Sequence, residues 1–340
     1  MDDRYSRQVL FHGLGAEGQA ALGASRALLV GCGALGSLLA QILVRAGVGA
    51  LRIADRDFVE PSNLQRQLLF DEDDARRSLP KAVAARDALG RINSGVSVEG
   101  IVADVGPGNI ASLAEDCSLI LDGSDNFEIR FLVNDYSVCH GVPWIYGAAV
   151  GSTGLVMPVL PGKTPCLRCV FEEAPPPGST PTCDTAGVIA PVIGVVASLQ
   201  AAEALKILSG HTAQVLRGLV SVDVWDGRLE RFPVGEAPSA SCPACAERRF
   251  EHLRGDRAAS AAVLCGRRSV QITPVNRQRV DLAALAGRLE PLGATTRNDY
   301  LVRARLGEHE ITVFSDGRAI IGGTTDEATA RALYARYVGS

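Results

Sequence analysis

A glycine-rich turn, GCGALG at residues 31–36, is the first feature of this sequence that could do chemistry. Glycine lets a backbone approach phosphate closely, and the start of a helix offers free N–H groups and the positive end of its dipole. Asp55 follows about 20 residues later, where a carboxylate can accept hydrogen bonds from ribose hydroxyls. The spacing Gly31-x-Gly33-x-x-Gly36 predicts a nucleotide site and, taken alone, favours NAD.

Charged residues near the ends of two further predicted strands favour a triphosphate over hydride chemistry. Arg66 follows the second strand and Lys81 opens the next helix, and such cations suit phosphates. Asp122, Asp125 and Asn126 follow a predicted strand at the edge where open α/β sheets bind ligands. A carboxylate beside a triphosphate is a natural Mg²⁺ ligand. The alternatives are a helix cap for Asp125 and solvated surface charges for the cations.

Two C-x-x-C pairs, Cys166/Cys169 and Cys242/Cys245, carry metal-binding chemistry. Four thiolates can close a tetrahedral zinc site, and the two-residue spacing lets each pair hold one edge of the tetrahedron. Redox cysteines or unpaired surface cysteines are the alternative. The pattern predicts a structural zinc, because no nearby histidine or open position points to catalysis by the metal.

Cys183 lies apart from these pairs, in the proline-rich segment 172–187, for which the prolines and glycines predict irregular structure. Exposure and the N-terminus of a helix predicted after the segment would both favour a thiolate. A covalent role and a packing role are equally open for this residue.

The elements that must position these residues alternate between strand and helix. Apolar runs at 26–30 and 50–54 flank a helical pattern at 37–46, and further strands are predicted at 96–102, 118–121, 142–146 and 155–157. This order predicts an α/β fold with a doubly wound, Rossmann-like sheet. We expect one large domain at 1–252 and a small α+β domain at 257–340. In the latter, Asp316-Gly317 between two predicted strands signals a hairpin.

Composition excludes several classes of protein. The chain has 340 residues, 47% hydrophobic residues and a net charge of -4, without a basic run, so we expect no nucleic-acid partner. The N-terminus lacks the apolar core of a signal peptide, and the apolar stretch 187–199 contains Pro191, so it is interpreted as a buried helix rather than a membrane span. Nine cysteines without a secretion signal favour a cytoplasmic protein.

Several motifs together resemble the ThiF/MoeB/HesA family, relatives of the ubiquitin-activating enzymes. They are RYSRQVLFHGLGAEGQAAL near the N-terminus, GCGALG, the terminal Asp55, SNLQRQ, Pro80-Lys81 and DGSDN, and the resemblance spans about residues 4 to 250. It implies a homodimeric adenylyltransferase that uses ATP and Mg²⁺ to activate the C-terminal carboxylate of a ubiquitin-like sulfur-carrier protein ending in Gly-Gly. A cysteine desulfurase or a rhodanese would be the sulfur donor.

The resemblance also assigns roles to residues. It implies an ATP site at Gly33, Asp55, Asn63, Arg66 and Lys81, Mg²⁺ on Asp125, and an arginine, Arg7, that the partner subunit contributes to the phosphates. Ala34 stands where the family often has another glycine. The four paired cysteines match the family's zinc ligands, and Cys183 matches a cysteine that forms a thioester or acyl-disulfide with the carrier in some members.

Two other functions stay open at this stage. One keeps the fold and activates a small-molecule or tRNA-borne carboxylate, as dehydratase relatives do. The other is an NAD-dependent oxidoreductase. The absence of a triad or metal spacing among the five histidines suits acyl activation, because a carboxylate with a pKa near about 3–4 needs no general base.

Overall fold

The computed structural model describes residues 3–173, 183–255, 261–264, 268–274 and 279–339. The chain divides into two units, Met1–Arg257 and Ala258–Ser340. Each unit has its own sheet and its own hydrophobic core.

An eight-stranded sheet organises the first unit. Its strands are β1 (Arg26–Val30), β2 (Ala50–Asp55), β3 (Ser97–Val102), β4 (Leu119–Asp122), β5 (Trp144–Val150), β6 (Thr153–Val159), β7 (Leu219–Asp223) and β8 (Arg228–Phe232). The order is β3-β2-β1-β4-β5-β6-β7-β8, parallel from β3 to β5 and antiparallel from β5 to β8. The predicted doubly wound α/β fold is therefore confirmed, with β7 and β8 as additions that the sequence interpretation missed.

The helices of this unit connect and cover the strands. They are α1 (Ser6–Val9), α2 (Gly15–Gly23), α3 (Ala34–Ala46), α4 (Glu72–Arg76), α5 (Lys81–Ile92), α6 (Ile110–Leu113), α7 (Phe127–His140), α8 (Leu167–Val170), α9 (Cys183–Ala186), α10 (Ala190–Leu208) and α11 (Glu251–Arg254). The helix α3 begins at Ala34, three residues earlier than the predicted 37, because Gly33 is its N-cap and the glycine turn runs directly into it.

The long apolar helix α10 is a core helix, as its sequence predicted. It is the one helix in the described chain that is long and apolar enough to cross a membrane, yet about half of that stretch is buried within the protein. It packs against α3, β5 and β6. Val192, Val196 and Ala197 are fully buried in the core that it shares with α3.

The second unit is an antiparallel sheet with two helices. Its elements are β9 (Ala261–Leu264), β10 (Ser269–Ile272), α12 (Leu282–Leu289), β11 (Ala294–Arg297), β12 (Leu301–Leu306), β13 (His309–Phe314), β14 (Ala319–Gly322) and α13 (Glu327–Tyr337). The strand order is β11-β12-β13-β14-β10-β9. Gly317 has φ +84° in the turn between β13 and β14, so the predicted Asp-Gly hairpin is confirmed.

Candidate active site and metal centre

The glycine turn after β1 packs directly on the turn after β4. Gly31 has φ +86°, and a Cβ on it would lie 2.7 Å from the Gly123 oxygen. A Cβ on Gly36 would lie 2.1 Å from the Gly31 oxygen, and one on Gly123 would lie 2.3 Å from the same oxygen. Three backbones therefore meet where only glycine fits. This contact brings the ends of β1 and β4 together, and Gly123 is a residue whose role the sequence interpretation missed.

Gly33 differs from its neighbours in the turn because the space beside it is open. Outside its two chain neighbours and its own helix, the nearest atom to a Cβ built on Gly33 is Nε2 of Gln67, at 3.8 Å. Gly33 caps α3, a helix of 13 residues, without a side-chain hydrogen bond. The N–H groups at this helix start are thus available to an anion, as the fingerprint predicts.

Asp55 lies at the end of β2 and fixes the glycine turn to it. Its two carboxylate oxygens accept the N–H groups of Cys32 at 2.6 Å and of Asp57 at 2.7 Å. Burial raises the pKa of Asp55, and the nearby Lys81 opposes that shift. The carboxylate therefore holds the turn in place, and ribose binding by Asp55 stays a prediction.

Lys81 begins α5 as a buried cation. Its Nζ lies 3.1 Å from Oδ2 of Asp57, and its side chain is only 5% exposed. Asp57, which the sequence interpretation overlooked, also accepts the Lys81 N–H at 2.9 Å through its carbonyl oxygen. Lys81 is thus held close to the Asp55 end of β2, as a phosphate-binding role requires.

Asn63 ends the short 3-10 turn Pro61–Asn63 after β2, and Arg66 lies in the turn that follows it. The buried Asn63 side chain accepts the Glu60 N–H at 3.1 Å and closes a capping box. The half-buried Arg66 donates to the carbonyl oxygen of Ser62 at 2.9 Å. Asn63 therefore shapes the turn that presents Arg66, and direct contact of either residue with ATP stays a prediction.

The two carboxylates that follow β4, Asp122 and Asp125, lie in different environments. Asp122 is buried, accepts the N–H and hydroxyl of Ser124 at 2.9 and 2.6 Å, and pairs with Arg130 at 3.0 Å. Burial raises the pKa of Asp122 although Arg130 opposes the shift. Asp125 is exposed, and within the described residues its carboxylate makes no hydrogen bond or ion pair. Asp125 is therefore the carboxylate that can take a cation.

Arg130 stabilises the turn after β4. Its guanidinium donates to the carbonyl oxygens of Ser124 at 3.0 Å and Gly147 at 3.1 Å, besides pairing with Asp122. The Asn126 side chain accepts the Ile129 N–H at 2.9 Å. Asn126 was predicted to contact the nucleotide, and in this structure its side chain is the N-cap of α7. Sequence interpretation missed Arg130, for which a charged residue within a helix gave no signal.

The four paired cysteines form one cluster. Their Sγ atoms all lie within 4.8 Å of one another, with separations of 3.6 Å for Cys166–Cys242, 3.8 Å for Cys166–Cys169 and 3.9 Å for Cys169–Cys245. A tetrahedral zinc with bonds of about 2.3 Å needs thiolates about 3.8 Å apart. The cluster fits zinc. Hydrogen bonds from Cys166 and Cys245 lower the pKa of the Cys169 thiol, whereas the hydrogen bond with Cys169 raises the pKa of the Cys166 and Cys245 thiols.

Polar groups around the cluster orient its sulfur atoms. Asn134 on α7 donates to Sγ of Cys166 at 3.6 Å and accepts the Leu167 N–H at 2.8 Å. The N–H of Ser239 points at Cys169 and that of Cys245 at Cys242. Because hydrogen bonds stabilise thiolate ligands, this environment also favours a bound metal.

Cys183 lies beside the end of β5, the neighbour of β4. Its half-buried Sγ donates to the Ala149 carbonyl oxygen at 3.1 Å. Residues 174–182 of the predicted irregular segment lie outside the described residues, but Cys183–Ala186 is helical, so the prediction is wrong there. The long helix begins only at Ala190, and Cys183 opens its own four-residue turn. The long helix therefore cannot supply the dipole that was expected to favour a Cys183 thiolate.

The N-terminal segment packs on its own subunit. Tyr5 accepts a hydrogen bond from Asn93 at 2.8 Å, and Gln8 donates to Gln19 and to the Ala46 carbonyl oxygen. These contacts use polar groups at the ends of α3 and α5. Arg7 points away from these contacts: it is exposed and forms no hydrogen bond or ion pair with any described residue.

Comparisons with known proteins agree on one family. A model of the ThiF family matches residues 5–244. The chain is 46% identical over 341 residues to the sulfur carrier protein ThiS adenylyltransferase of Bacillus subtilis (strain 168), covering all of both chains. It is 37% identical over 248 residues to the molybdopterin-synthase adenylyltransferase of Escherichia coli (strain K12), covering 72% of this chain and 96% of that one. The crystal structure of E. coli MccB with ATP has a TM-score of 0.63 at 24% identity, covers 72% of this chain and 75% of that one, and is similar in fold.

Proposed function

Because the chain belongs to the ThiF family, we propose that it adenylylates the C-terminal glycine carboxylate of a ubiquitin-like sulfur-carrier protein with ATP, releasing pyrophosphate. One observation supports this proposal most: Gly31, in the glycine turn that leads into α3, contacts Gly123, in the turn that also carries the exposed Asp125 carboxylate. Such a pairing suits ATP with Mg²⁺. The route would serve sulfur transfer in thiamine, molybdopterin or related biosynthesis.

The reaction depends on positioning and charge. The carrier carboxylate is ionised at neutral pH and attacks the α-phosphorus without a general base, while the bond to pyrophosphate breaks. Lys81 and Arg66 would offset the charge that develops on the leaving pyrophosphate. Mg²⁺ on Asp125 would supply further neutralisation when bound. The buried contacts of Lys81 with Asp57 hold that ammonium group in place before substrate arrives.

ATP–pyrophosphate exchange with purified carrier tests the function and the role of Asp125. We expect Asp125→Ala to reduce exchange by at least about 100-fold, because a ligand of the nucleotide's cation is lost. Glu230→Ala, which removes an exposed carboxylate on β8, is the matched control and should exchange normally. If Asp125→Ala exchanged pyrophosphate at the native rate and with ordinary Mg²⁺ dependence, Asp125 would not be the cation's ligand.

The protein would act as a homodimer in which Arg7 reaches the partner's phosphates. Arg7 is exposed, and Leu10 and Phe11 beside it are 73% and 61% exposed, as an interface segment would be in an isolated subunit. Mixing Arg7→Ala chains with Asp125→Ala chains should restore partial exchange, since one site of the heterodimer is intact. If the heterodimers form but remain inactive, Arg7 acts in the active site of its own subunit or in none.

Cys183 would accept the activated carrier. Its thiolate attacks the adenylate carbonyl, a thioester forms, and AMP leaves. In support, the side chain is only half-buried and lies beside the carboxyl end of β5, the neighbour of the strand β4 that Asp125 follows. Cys183→Ser should retain pyrophosphate exchange and lose sulfur transfer. Full transfer by this variant with native carrier and donor would show that the adenylate passes directly to an external persulfide from a desulfurase or rhodanese.

The zinc would be structural and held by Cys166, Cys169, Cys242 and Cys245. Metal analysis should find about one zinc per chain, and a Cys166→Ser/Cys242→Ser double variant should lose it. Retained zinc in that variant would rule out this cluster. Within the proposed division into an adenylation domain at 1–252 and a domain at 257–340, the second domain has no assigned role.

A further inference from the structure

Gln200 is a fully buried glutamine of α10 that lies against the ends of two neighbouring strands. Its Nε2 donates to the carbonyl oxygen of Asp122 at 2.8 Å and lies 3.5 Å from the carbonyl oxygen of Ile145. Asp122 is the last residue of β4, and Ile145 belongs to β5. The amide of Gln200 therefore links the two strands from the side of the sheet that α10 covers.

The backbone pairing between β4 and β5 stops before the carboxyl end of β4. On its other side β4 pairs with β1 as far as Asp122, whereas towards β5 the pairing ends at Leu121, opposite Ile145. Beyond that point the Gly147 N–H donates to the Asp122 carboxylate at 3.4 Å, and Arg130 donates to the Gly147 carbonyl oxygen at 3.1 Å. The separation of the two strand ends therefore depends on side chains, which come from α7 and α10.

Gly147 on β5 leaves the space that the Gln200 carboxamide occupies. A Cβ built on Gly147 would lie 2.3 Å from Nε2, 2.4 Å from Cδ and 2.6 Å from Oε1 of Gln200. Its three nearest atoms thus all belong to one side chain, which an alanine at this position would displace.

Packing alone does not account for a glutamine at this position. Oε1 of Gln200 is buried and has no hydrogen-bond partner among the described residues, which costs free energy. The neighbouring positions Ala197, Ala201 and Ala204 on α10 are apolar and buried, so leucine would fill the same space without an unpaired oxygen. The contact of Nε2 with the strand ends is therefore what the glutamine contributes.

The end of β4 that Gln200 holds leads directly to the Asp125 carboxylate. Asp122 and Asp125 are three residues apart, and the Asn126 side chain caps α7 immediately afterwards. The turn between them is drawn in by the N–H and hydroxyl of Ser124, which both donate to the Asp122 carboxylate. Because so short a turn has little slack, a shift of the Asp122 backbone moves Asp125 as well.

We propose that Gln200 is a positioning residue, whose amide fixes the end of β4 against β5 and thereby places the Asp125 carboxylate for cation binding. The inference rests on the proposed function, because it takes Asp125 as the ligand of the cation that accompanies ATP. Gln200 acts through the backbone of Asp122 and not through contact with a substrate.

ATP–pyrophosphate exchange with purified carrier, measured over a range of Mg²⁺ concentrations, tests this role. Gln200→Leu keeps a buried side chain of similar size and removes the amide. The Mg²⁺ concentration for half-maximal exchange should rise about 10-fold, as expected when the support of a metal ligand is lost. The rate at saturating ATP and Mg²⁺ should fall by about 10- to 100-fold, since a group misplaced by about 1 Å stays misplaced when the cation binds.

Leu208→Ala is the matched control for stability. Leu208 is buried on the same helix, eight residues and about 12 Å further along it. The cavity left by this substitution should lower the thermal midpoint of the ligand-free protein more than Gln200→Leu does, because that variant also removes an unpaired oxygen. Its Mg²⁺ requirement should nevertheless stay within about twofold of the native value.

Gly147→Ala approaches the same contact from the other strand. Its Cβ would displace the Gln200 carboxamide, so this variant alone should also raise the Mg²⁺ requirement. In a Gln200→Ala background the space is open, and adding Gly147→Ala should change the requirement by less than about twofold. Independent, multiplying effects of the two substitutions would show that they do not act through one contact.

The proposal is overturned if Gln200→Leu exchanges with the native Mg²⁺ requirement and the native rate. A lower thermal midpoint with that native profile would make Gln200 a structural residue. If the native protein itself catalyses no exchange, the proposed function fails instead.

Discussion

Replacing Gly36 with alanine should damage the nucleotide site even though alanine is the better helix former. Gly36 lies in the first turn of α3, where alanine is intrinsically favoured by roughly 1 kcal/mol. Its Cβ, however, would lie 2.1 Å from the Gly31 oxygen, about 1.3 Å closer than the 3.4 Å at which ordinary contact begins. The obstructing atom belongs to the backbone, so no side chain can rotate away.

The expected magnitudes follow from that overlap. Overpacking of this kind costs about 1–3 kcal/mol, which the gain in helix propensity reduces to a net loss of roughly 0–2 kcal/mol in the free energy of unfolding. Relief of the overlap must move the Gly31 turn by about 1 Å. A displacement of that size in a group that positions substrate costs on the order of 100-fold in kcat/KM. The effect on activity should therefore far exceed the effect on stability.

Gly90→Ala is the matched control for this experiment. Gly90 is an exposed glycine within α5, and a Cβ built there meets nothing within 4 Å. The control should be about 0.5–1 kcal/mol more stable than the native protein and should exchange pyrophosphate normally. Urea denaturation and ATP–pyrophosphate exchange measure the two quantities. If Gly36→Ala gained the same stability and kept native exchange, the reasoning from backbone contact would be refuted.

Three further predictions concern α7 and its contacts. Arg130→Met should lower the free energy of unfolding in urea by about 3–5 kcal/mol, because Asp122 stays buried and unpaired; a double variant with Asp122→Leu should recover much of that loss, and no recovery would contradict the pairing. Asn134→Ala should weaken zinc binding by about 10- to 100-fold in competition with a chelator, since the donor to Cys166 is lost; unchanged affinity would remove Asn134 from the metal's environment. Burial raises the pKa of Asp135 from 3.8 to about 6, so between these values the native state binds more protons than the unfolded state and stability falls as pH rises. Asp135→Asn should flatten that slope in urea titrations from pH 4 to pH 7, and an unchanged slope would assign it to other groups.

The sequence predicted the structure correctly where the spacing of a motif allows only one local arrangement. The spacing of Gly31, Gly33 and Gly36 permitted a phosphate turn between strand and helix, and the structure has that turn, with the helix starting at Ala34. The two C-x-x-C pairs predicted a four-thiol cluster across 76 residues of sequence, and their sulfur atoms meet. Because such motifs constrain the backbone locally, the structures that they form can be predicted without knowledge of the tertiary contacts.

Residue patterns alone were insufficient where tertiary contacts distinguish similar residues. Asp122 and Asp125 follow the same strand, and the family resemblance, not the pattern, selected Asp125; the ion pair of Asp122 with Arg130 on α7 shows which carboxylate is already paired. Gln65 and Gln67 are likewise identical in sequence context, yet one is exposed and the other buried. The strand β8 was missed because every one of its residues is exposed, which leaves no hydrophobic alternation to detect.

The cysteine cluster has a consequence for a chain that is cut between Glu173 and Cys183. Cys166 and Cys169 would fall on one fragment and Cys242 and Cys245 on the other, so a single zinc ion would join the two pieces. The cut would also leave β6 on the first fragment paired with β7 on the second, and α10 packed against α3. Two separately expressed polypeptides, 1–173 and 183–340, should therefore reassemble in the presence of zinc, and a chelator should release them from each other far more readily than it unfolds the uncut chain.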